Sequence, residues 1–235
     1  MTPVHPDAAG RRLTRAFALV VSGPSGVGKT SLVERVLRAD SGIRLSLSVT
    51  TRPPRAGEKA GEDYTFVERA EFDRRIAAGA FLEWAEVHGE RYGTPRAPIE
   101  EHLAAGIDVL MEIDVQGAMQ VQHAYADACL IFILPPSWAA LAARLRGRGR
   151  DGEEEVQRRL AIAAQEIAEA PNYDYAVVNS DLEGAADEVL GILAAERRRL
   201  RRLARPLNAV LGAPPPSRPT ASGSARGTGL AAGER

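Results

Sequence analysis

The apolar positions change period several times along the chain. Ala16 to Val21 is a short apolar run rich in β-formers, and Ser31 to Ala39 carries Leu32, Val33, Val36 and Leu37 at helical spacing, which predicts a strand, a turn and a helix. Ile43, Leu45, Leu47 and Val49 then alternate with Arg44, Ser46 and Ser48, the pattern of one half-buried strand from Ile43 to Val49. Thr50-Thr-Arg-Pro-Pro-Arg-Ala-Gly57 breaks regular structure. From there to about Thr94 the chain is rich in charge, Tyr and Gly, with one helix predicted at Arg69 to Ala78. That stretch reads as an insertion with its own short strands. A helix follows near Ile99 to Ala105, and apolar strands at Val109 to Ile113 and Leu130 to Leu134. Pro135-Pro136 stops the chain, Ser137 is placed as an N-cap for a helix from Trp138 to Leu145, and an amphipathic helix runs through Val156, Leu160 and Ile167. A strand at Tyr175 to Val178 ends at Asn179. Asp181 then opens a last long helix with Leu182, Val189, Leu190, Leu193, Leu200 and Leu203 on its core side.

Strands alternating with helices predict an α/β fold with a parallel central sheet covered on both faces. Ligands of such folds bind at the carboxyl ends of the strands. Residues 1–15 show no apolar periodicity and read as a disordered leader. Residues 205–235, rich in Pro, Gly, Ser and Ala, read as a disordered tail.

Composition narrows the partners. At 235 residues the chain suits one sizeable core, and 45% hydrophobic and 26% charged residues with a net charge of −1 point to small-molecule partners rather than to nucleic acid or a membrane surface. The single cysteine, Cys129, sits in an apolar run and reads as a buried core residue, which favours a reducing compartment. Arg11, Arg12 and Arg15 before Ala16 to Val21 imitate a signal peptide, but the apolar run is too short, so a cytoplasmic location is expected. Arg197-Arg-Arg-Leu-Arg-Arg202 reads as a solvated face near a helix C-terminus, with an RNA-contacting stripe as its alternative. His5, His88, His102 and His123 have no metal-ligand spacing and receive no catalytic role. Composition does not choose between a monomer and a homo-oligomer.

The chemistry concentrates between the first strand and helix. Gly23-Pro24-Ser25-Gly26-Val27-Gly28-Lys29-Thr30 fits the phosphate-binding pattern G-x-x-x-x-G-K-[ST] at every fixed position, followed by Ser31. Its glycines let successive N–H groups face one concavity at the positive end of a helix dipole, where a nucleotide triphosphate fits. Lys29 reaches the outer phosphates, and the Thr30 hydroxyl holds a magnesium ion bridging them. The alternative is a Gly-rich turn that binds nothing. Lys29 is one of only two lysines beside many arginines, so a compact, flexible ammonium is needed there.

A phosphate loop serves kinases, switches and motors alike, so a second site must decide. Arg52 and Arg55 stand three residues apart on the stiff loop of Pro53 and Pro54, a suitable clamp for a monophosphate. Taken alone such a pair reads as surface charge. The segments Ser48-Val-Thr-Thr-Arg-Pro-Pro-Arg-Ala-Gly-Glu58, Gly61-Glu-Asp-Tyr64, Phe81-Leu-Glu-Trp-Ala85, Tyr92-Gly93-Thr94, Glu112-Ile-Asp-Val-Gln-Gly117 and Arg144-Leu-Arg-Gly-Arg-Gly149 together resemble the motifs of guanylate kinase, in that family's order, over about Phe17 to Leu203.

The resemblance implies a P-loop three-layer fold over 16–204, with a core of 16–44, 95–135 and 168–204, a GMP-binding insertion at 45–94 and a helical lid at 136–167. It implies that Arg52, Arg55, Tyr64 and Tyr92 hold the GMP phosphate, and that Glu83, Ser48, Thr94, Glu112 and Asp114 recognise guanine. It also implies that Arg144, Arg148 and Arg159 approach ATP and the transferring phosphoryl group, with Asn179 near the adenine. A carboxylate suits guanine, whose N1–H and 2-amino group are donors. The implied reaction is ATP + GMP to ADP + GDP with Mg2+. Two alternatives remain in view: a non-catalytic guanylate-kinase-like binding module, and a P-loop kinase for another phosphorylated acceptor such as a sugar phosphate.

Overall fold

One apolar strand, β1 (Ala18–Ser22), is buried along its whole length and has a core on each face. Side chains alternate across a strand. Leu19 and Val21 therefore pack with Leu32, Val33 and Val36 of α1 (Lys29–Ala39) and with Ala185, Val189 and Leu193 of α7 (Leu182–Glu196). Ala18 and Val20 pack on the other face with Ile99 of α3 (Arg96–Ala104) and with Ala118 and Val121 of α4 (Val115–Ala124).

The computed structural model describes residues 14–55, 57–87, 89–147 and 152–203, and the tail expected at 205–235 lies outside them. In the main sheet β1 lies between β7 (Asp108–Glu112) and β8 (Cys129–Leu134), with β2 (Ile43–Leu45) and β9 (Tyr175–Val178) outermost. The order is β2-β7-β1-β8-β9 and every pairing is parallel. Val21 pairs with Glu112 and Ser22 with Phe132, so the end of β7 stands beside the residues where the phosphate loop begins.

A second sheet, ordered β4-β3-β6-β5, comprises β3 (Val49–Thr50), β4 (Thr65–Phe66), β5 (Phe81–Val87) and β6 (Glu90–Pro95). Helix α2 (Arg69–Ala77) packs beneath it, where Phe72 stacks on Phe81 at 4.5 Å between ring centroids beside Val49. Helices α5 (Trp138–Gly147) and α6 (Glu153–Ala168) pack through Leu141, Leu145, Val156 and Ala163. The Ser137 hydroxyl accepts from Ala140 N as the expected N-cap of α5, at 3.1 Å. Among the described residues no helix is long and apolar enough to cross a membrane.

Four expectations change. The single strand at Ile43 to Val49 is divided between two sheets, its first part pairing with β7 and its last with β4 and β6. Alternation reports a pleat and not the identity of the partner strand. Helix α4 was not expected, although Asp114 accepts from Gly117 N at 2.8 Å as its N-cap and Val115, Ala118 and Val121 follow at helical spacing. Thr14, assigned to the leader, is buried, bridges to Leu203 and donates to Arg197 O at 2.8 Å.

The fourth change concerns the arginine run. Helix α7 ends at Glu196, and Leu200, expected in the core, is 72% exposed. The Arg197 side chain is 7% exposed, held between Asp108, at 2.7 Å, and Asp40, at 2.5 Å. Arg202 is buried on Glu196 at 2.6 Å, with its guanidinium carbon 4.1 Å from the Phe17 ring centroid. Neither a solvated face nor an RNA-contacting stripe describes these two side chains, because internal carboxylates bind them. Cys129 is fully buried, as expected, and burial pushes its thiol far above the usual range.

Candidate active site

The chain leaves β1 at Ser22 and turns into α1 through Gly23, whose φ is 143°, and Gly28, whose φ is 99°. At both positions the space is also closed. A Cβ at Gly23 would meet the Ile133 carbonyl oxygen at 2.4 Å, and one at Gly28 the Asn179 amide nitrogen at 2.7 Å. No side chain caps α1 and its first turn holds no acidic residue, so that helix end suits an anion.

Two side chains brace the loop from outside. Asn179 Nδ2 donates to Val27 O at 2.8 Å, and Arg144 donates to Val27 O and Asn179 O, both at 2.9 Å. Inside the loop, Lys29 Nζ donates to Gly23 O at 2.6 Å and to Pro24 O at 3.1 Å. Pro24 is buried, and Ser31 is exposed on the first turn of α1. Thr30 Oγ1 donates to Glu112 Oε1 at 2.8 Å. Burial raises the Glu112 pKa, against the opposing pull of Lys29 and the Thr30 hydroxyl.

A cavity of about 560 Å³ runs from this loop to the second sheet. Gly23, Ser25 and Lys29 of the loop, Ser48, Tyr64, Glu83 and Tyr92 of the second sheet and its approach, and Glu112 and Asp114 at the end of β7 line it, and Arg159 and Glu166 of α6 border it. Glu83 is 4% exposed, and its Oε1 accepts from Thr94 Oγ1 at 2.5 Å across the β5–β6 pair. Burial pushes the Glu83 pKa up to about 7, with Asp114 adding to the rise and the Thr94 hydroxyl opposing it. Burial raises the Asp114 pKa as well.

Beside this wall, Arg52 forms a two-pronged ion pair with Glu58, at 2.8 and 2.9 Å, and its Nε donates to Tyr92 OH at 3.2 Å. Its guanidinium carbon lies 5.3 Å from the Tyr64 ring centroid, and Tyr64 meets Tyr92 edge-on. Arg55 is exposed, and its backbone N–H donates to Glu58 Oε2 at 2.7 Å. Arg159 Nε donates to Glu155 Oε1 at 3.0 Å.

A family model described as guanylate kinase matches residues 15–196. The guanylate kinase of Nitrosomonas europaea is 52% identical over 187 residues, covering 79% of this chain and 93% of that protein. That of Zymomonas mobilis is 48% identical over 198 residues, covering 84% and 92%. The chain belongs to the guanylate kinase family. The crystal structure of guanylate kinase from Anaplasma phagocytophilum matches with a TM-score of 0.69 at 39% identity, over 84% of this chain and 94% of that one.

Against the guanylate kinase expectations, the structure gathers Lys29, Ser48, Tyr64, Glu83, Tyr92, Glu112, Asp114 and Arg159 on one cavity. Thr30, Arg52 and Thr94 are bonded directly to residues of its wall. Glu112, expected to read guanine, lines the cavity and also accepts from the phosphate-loop threonine, because it ends the strand next to β1. Arg144 and Asn179 bond to the loop's backbone, and Arg148 lies outside the described residues.

The sequence reading passed over Glu58, which braces Arg52, and three acids that line the cavity, Glu86, Glu166 and Glu169. Glu58 stood inside a motif noted only for Ser48 and its two arginines. Glu166 lies two helical turns beyond Arg159, a spacing that puts both on one face of α6. Its Oε2 is buried without a hydrogen-bond partner. Among the described residues no three His, Cys, Asp or Glu side chains are grouped to hold a metal.

Proposed function

We propose that the cavity is the shared donor and acceptor site of a cytoplasmic ATP:GMP phosphotransferase, in which the γ-phosphoryl group of ATP passes to GMP to give ADP and GDP. The observation that carries this reading is the continuity of one cavity from Lys29 to Glu83, which brings a triphosphate loop and a buried carboxylate into one enclosure.

The loop from Gly23 to Ser31 cradles the ATP phosphates through backbone N–H groups, and Lys29 exchanges its two carbonyl partners for phosphate oxygens. Arg144 and Asn179 keep the loop in shape. Arg52 and Arg55 hold the GMP phosphate, with Tyr64 and Tyr92 beside them, and Glu58 fixes the Arg52 fork in advance. A GMP phosphate oxygen bonds to the γ-phosphorus as the bond to the β–γ bridging oxygen breaks, and the electron pair leaves with ADP. Charge spreads over the equatorial oxygens, where Lys29, Arg159 and Arg148 stabilise it.

Ionised Glu83 accepts from the guanine N1–H and 2-amino groups, with Ser48, Thr94 and Asp114 completing the pocket. Adenine lacks these donors and leaves a buried carboxylate unpaired, a penalty worth roughly 10⁴ in discrimination. Thr30 and Glu112 form an adjoining pair of hard oxygen donors, which fits Mg2+, an ion held through few protein ligands. Bound magnesium supplies charge neutralisation on the phosphate oxygens.

The test is ADP release from magnesium-ATP in a coupled assay, with GMP, AMP, dTMP and no acceptor side by side. Turnover with GMP alone supports the assignment. Turnover with another acceptor removes the guanine assignment, and silence with every acceptor from a folded protein removes the kinase.

A further inference from the structure

Gly117 is a glycine that its own backbone does not require. It lies inside α4, is buried and has no positive φ, and alanine is intrinsically favoured over glycine at such a position. What it lacks is space. A Cβ there would stand 2.4 Å from Glu83 Oε2, 3.0 Å from Glu83 Cδ and 3.4 Å from Asp114 Oδ1.

We propose that Gly117 is a specificity-determining position, whose missing side chain keeps open the space in which the second oxygen of Glu83 stands. The inference rests on the reading of Glu83 as the guanine acceptor. The carboxylate is flanked on two sides, with Oε1 on the Thr94 hydroxyl of β6 and Oε2 against Gly117 of α4. Retreat of the strand is opposed one helical turn further along α4. There Gln120 Nε2 donates to Trp84 O at 2.8 Å, and Gln120 Oε1 accepts from Trp84 N at 3.2 Å. Because β5 is the edge of its sheet, this side-chain amide takes the place of a neighbouring strand at the residue next to Glu83. A methyl group at 117 therefore displaces the carboxylate, and the bond to Thr94 and the alignment toward guanine go with it.

The experiment compares Gly117→Ala, Glu83→Gln and the double variant, with GMP and with inosine monophosphate, which lacks the 2-amino group. In Gly117→Ala the KM for GMP is expected to rise about tenfold and the preference for GMP over inosine monophosphate to fall about fivefold, with the KM for ATP within about twofold of its starting value. In the Glu83→Gln background the same substitution is expected to add less than about twofold, because its target is already gone. A full tenfold effect in that background would mean a merely structural role and overturn the inference.

An unchanged Gly117→Ala beside an impaired Glu83→Gln overturns this inference alone. An intact GMP preference in Glu83→Gln overturns the guanine reading and this inference with it. Gln120→Met, which keeps the length and loses both bonds to Trp84, carries the same test should Gly117→Ala not fold. A rise of about threefold in the KM for GMP without a change for ATP supports the clamp, and no rise refutes it.

Discussion

Replacing Glu83 by Gln is expected to stabilise the protein while removing much of its activity towards GMP. Glu83 is almost fully buried, and burial raises its pKa from 4.5 to about 7. Below pH 4.5 it is neutral whether the chain is folded or not. Between 4.5 and 7 the unfolded chain releases its proton while the folded one keeps it, so stability falls as pH rises. Above 7 the loss is complete. The rise from 4.5 to about 7 corresponds to roughly 3 kcal/mol of destabilisation at pH 8. Glutamine retains an acceptor for the Thr94 hydroxyl and removes the buried charge beside Asp114. The variant should therefore melt about 6 to 12 °C higher at pH 8 and match the parent near pH 4.5, if both remain folded there. Its kcat/KM for GMP should be at least about a hundredfold lower, since a buried amide donor now faces the guanine donors. Melting curves across pH, paired with GMP kinetics, check both limbs. A variant that melts no higher at pH 8 would refute the burial cost, and an undiminished GMP preference would remove Glu83 from recognition.

Lys29→Met should reduce transfer by about a thousandfold or more, with GMP binding still measurable by calorimetry; normal turnover would refute the loop assignment. Glu58→Gln releases one prong of the Arg52 fork and should raise the KM for GMP roughly tenfold with little change for ATP, read from initial rates with each substrate varied. Arg197→Met leaves Asp40 and Asp108 buried without their shared cation and should cost about 3 to 5 kcal/mol in urea denaturation, while the KM values at low temperature stay near those of the parent.

The sequence by itself determined the alternating architecture, because α1 carries a helical period while β1, β8 and β9 are short runs rich in β-forming residues, too short for helices of the core. It also determined the phosphate loop, whose chemistry is contiguous: glycines, Lys29 and Thr30 act within a single turn of chain. Tertiary structure alone decided which distant groups meet. Ile43 to Val49 is one pattern divided between two sheets, because a pleat does not name its partner. Glu112 bonds to Thr30 because β7 lies beside β1, a neighbour relation absent from local sequence. Arg197 and Arg202 look like surface charge until Asp40, Asp108 and Glu196 are brought around them. Glu83 became a carboxylate that titrates near neutrality only once β6 and α4 closed over it, since burial is a property of the packed chain and not of the residue.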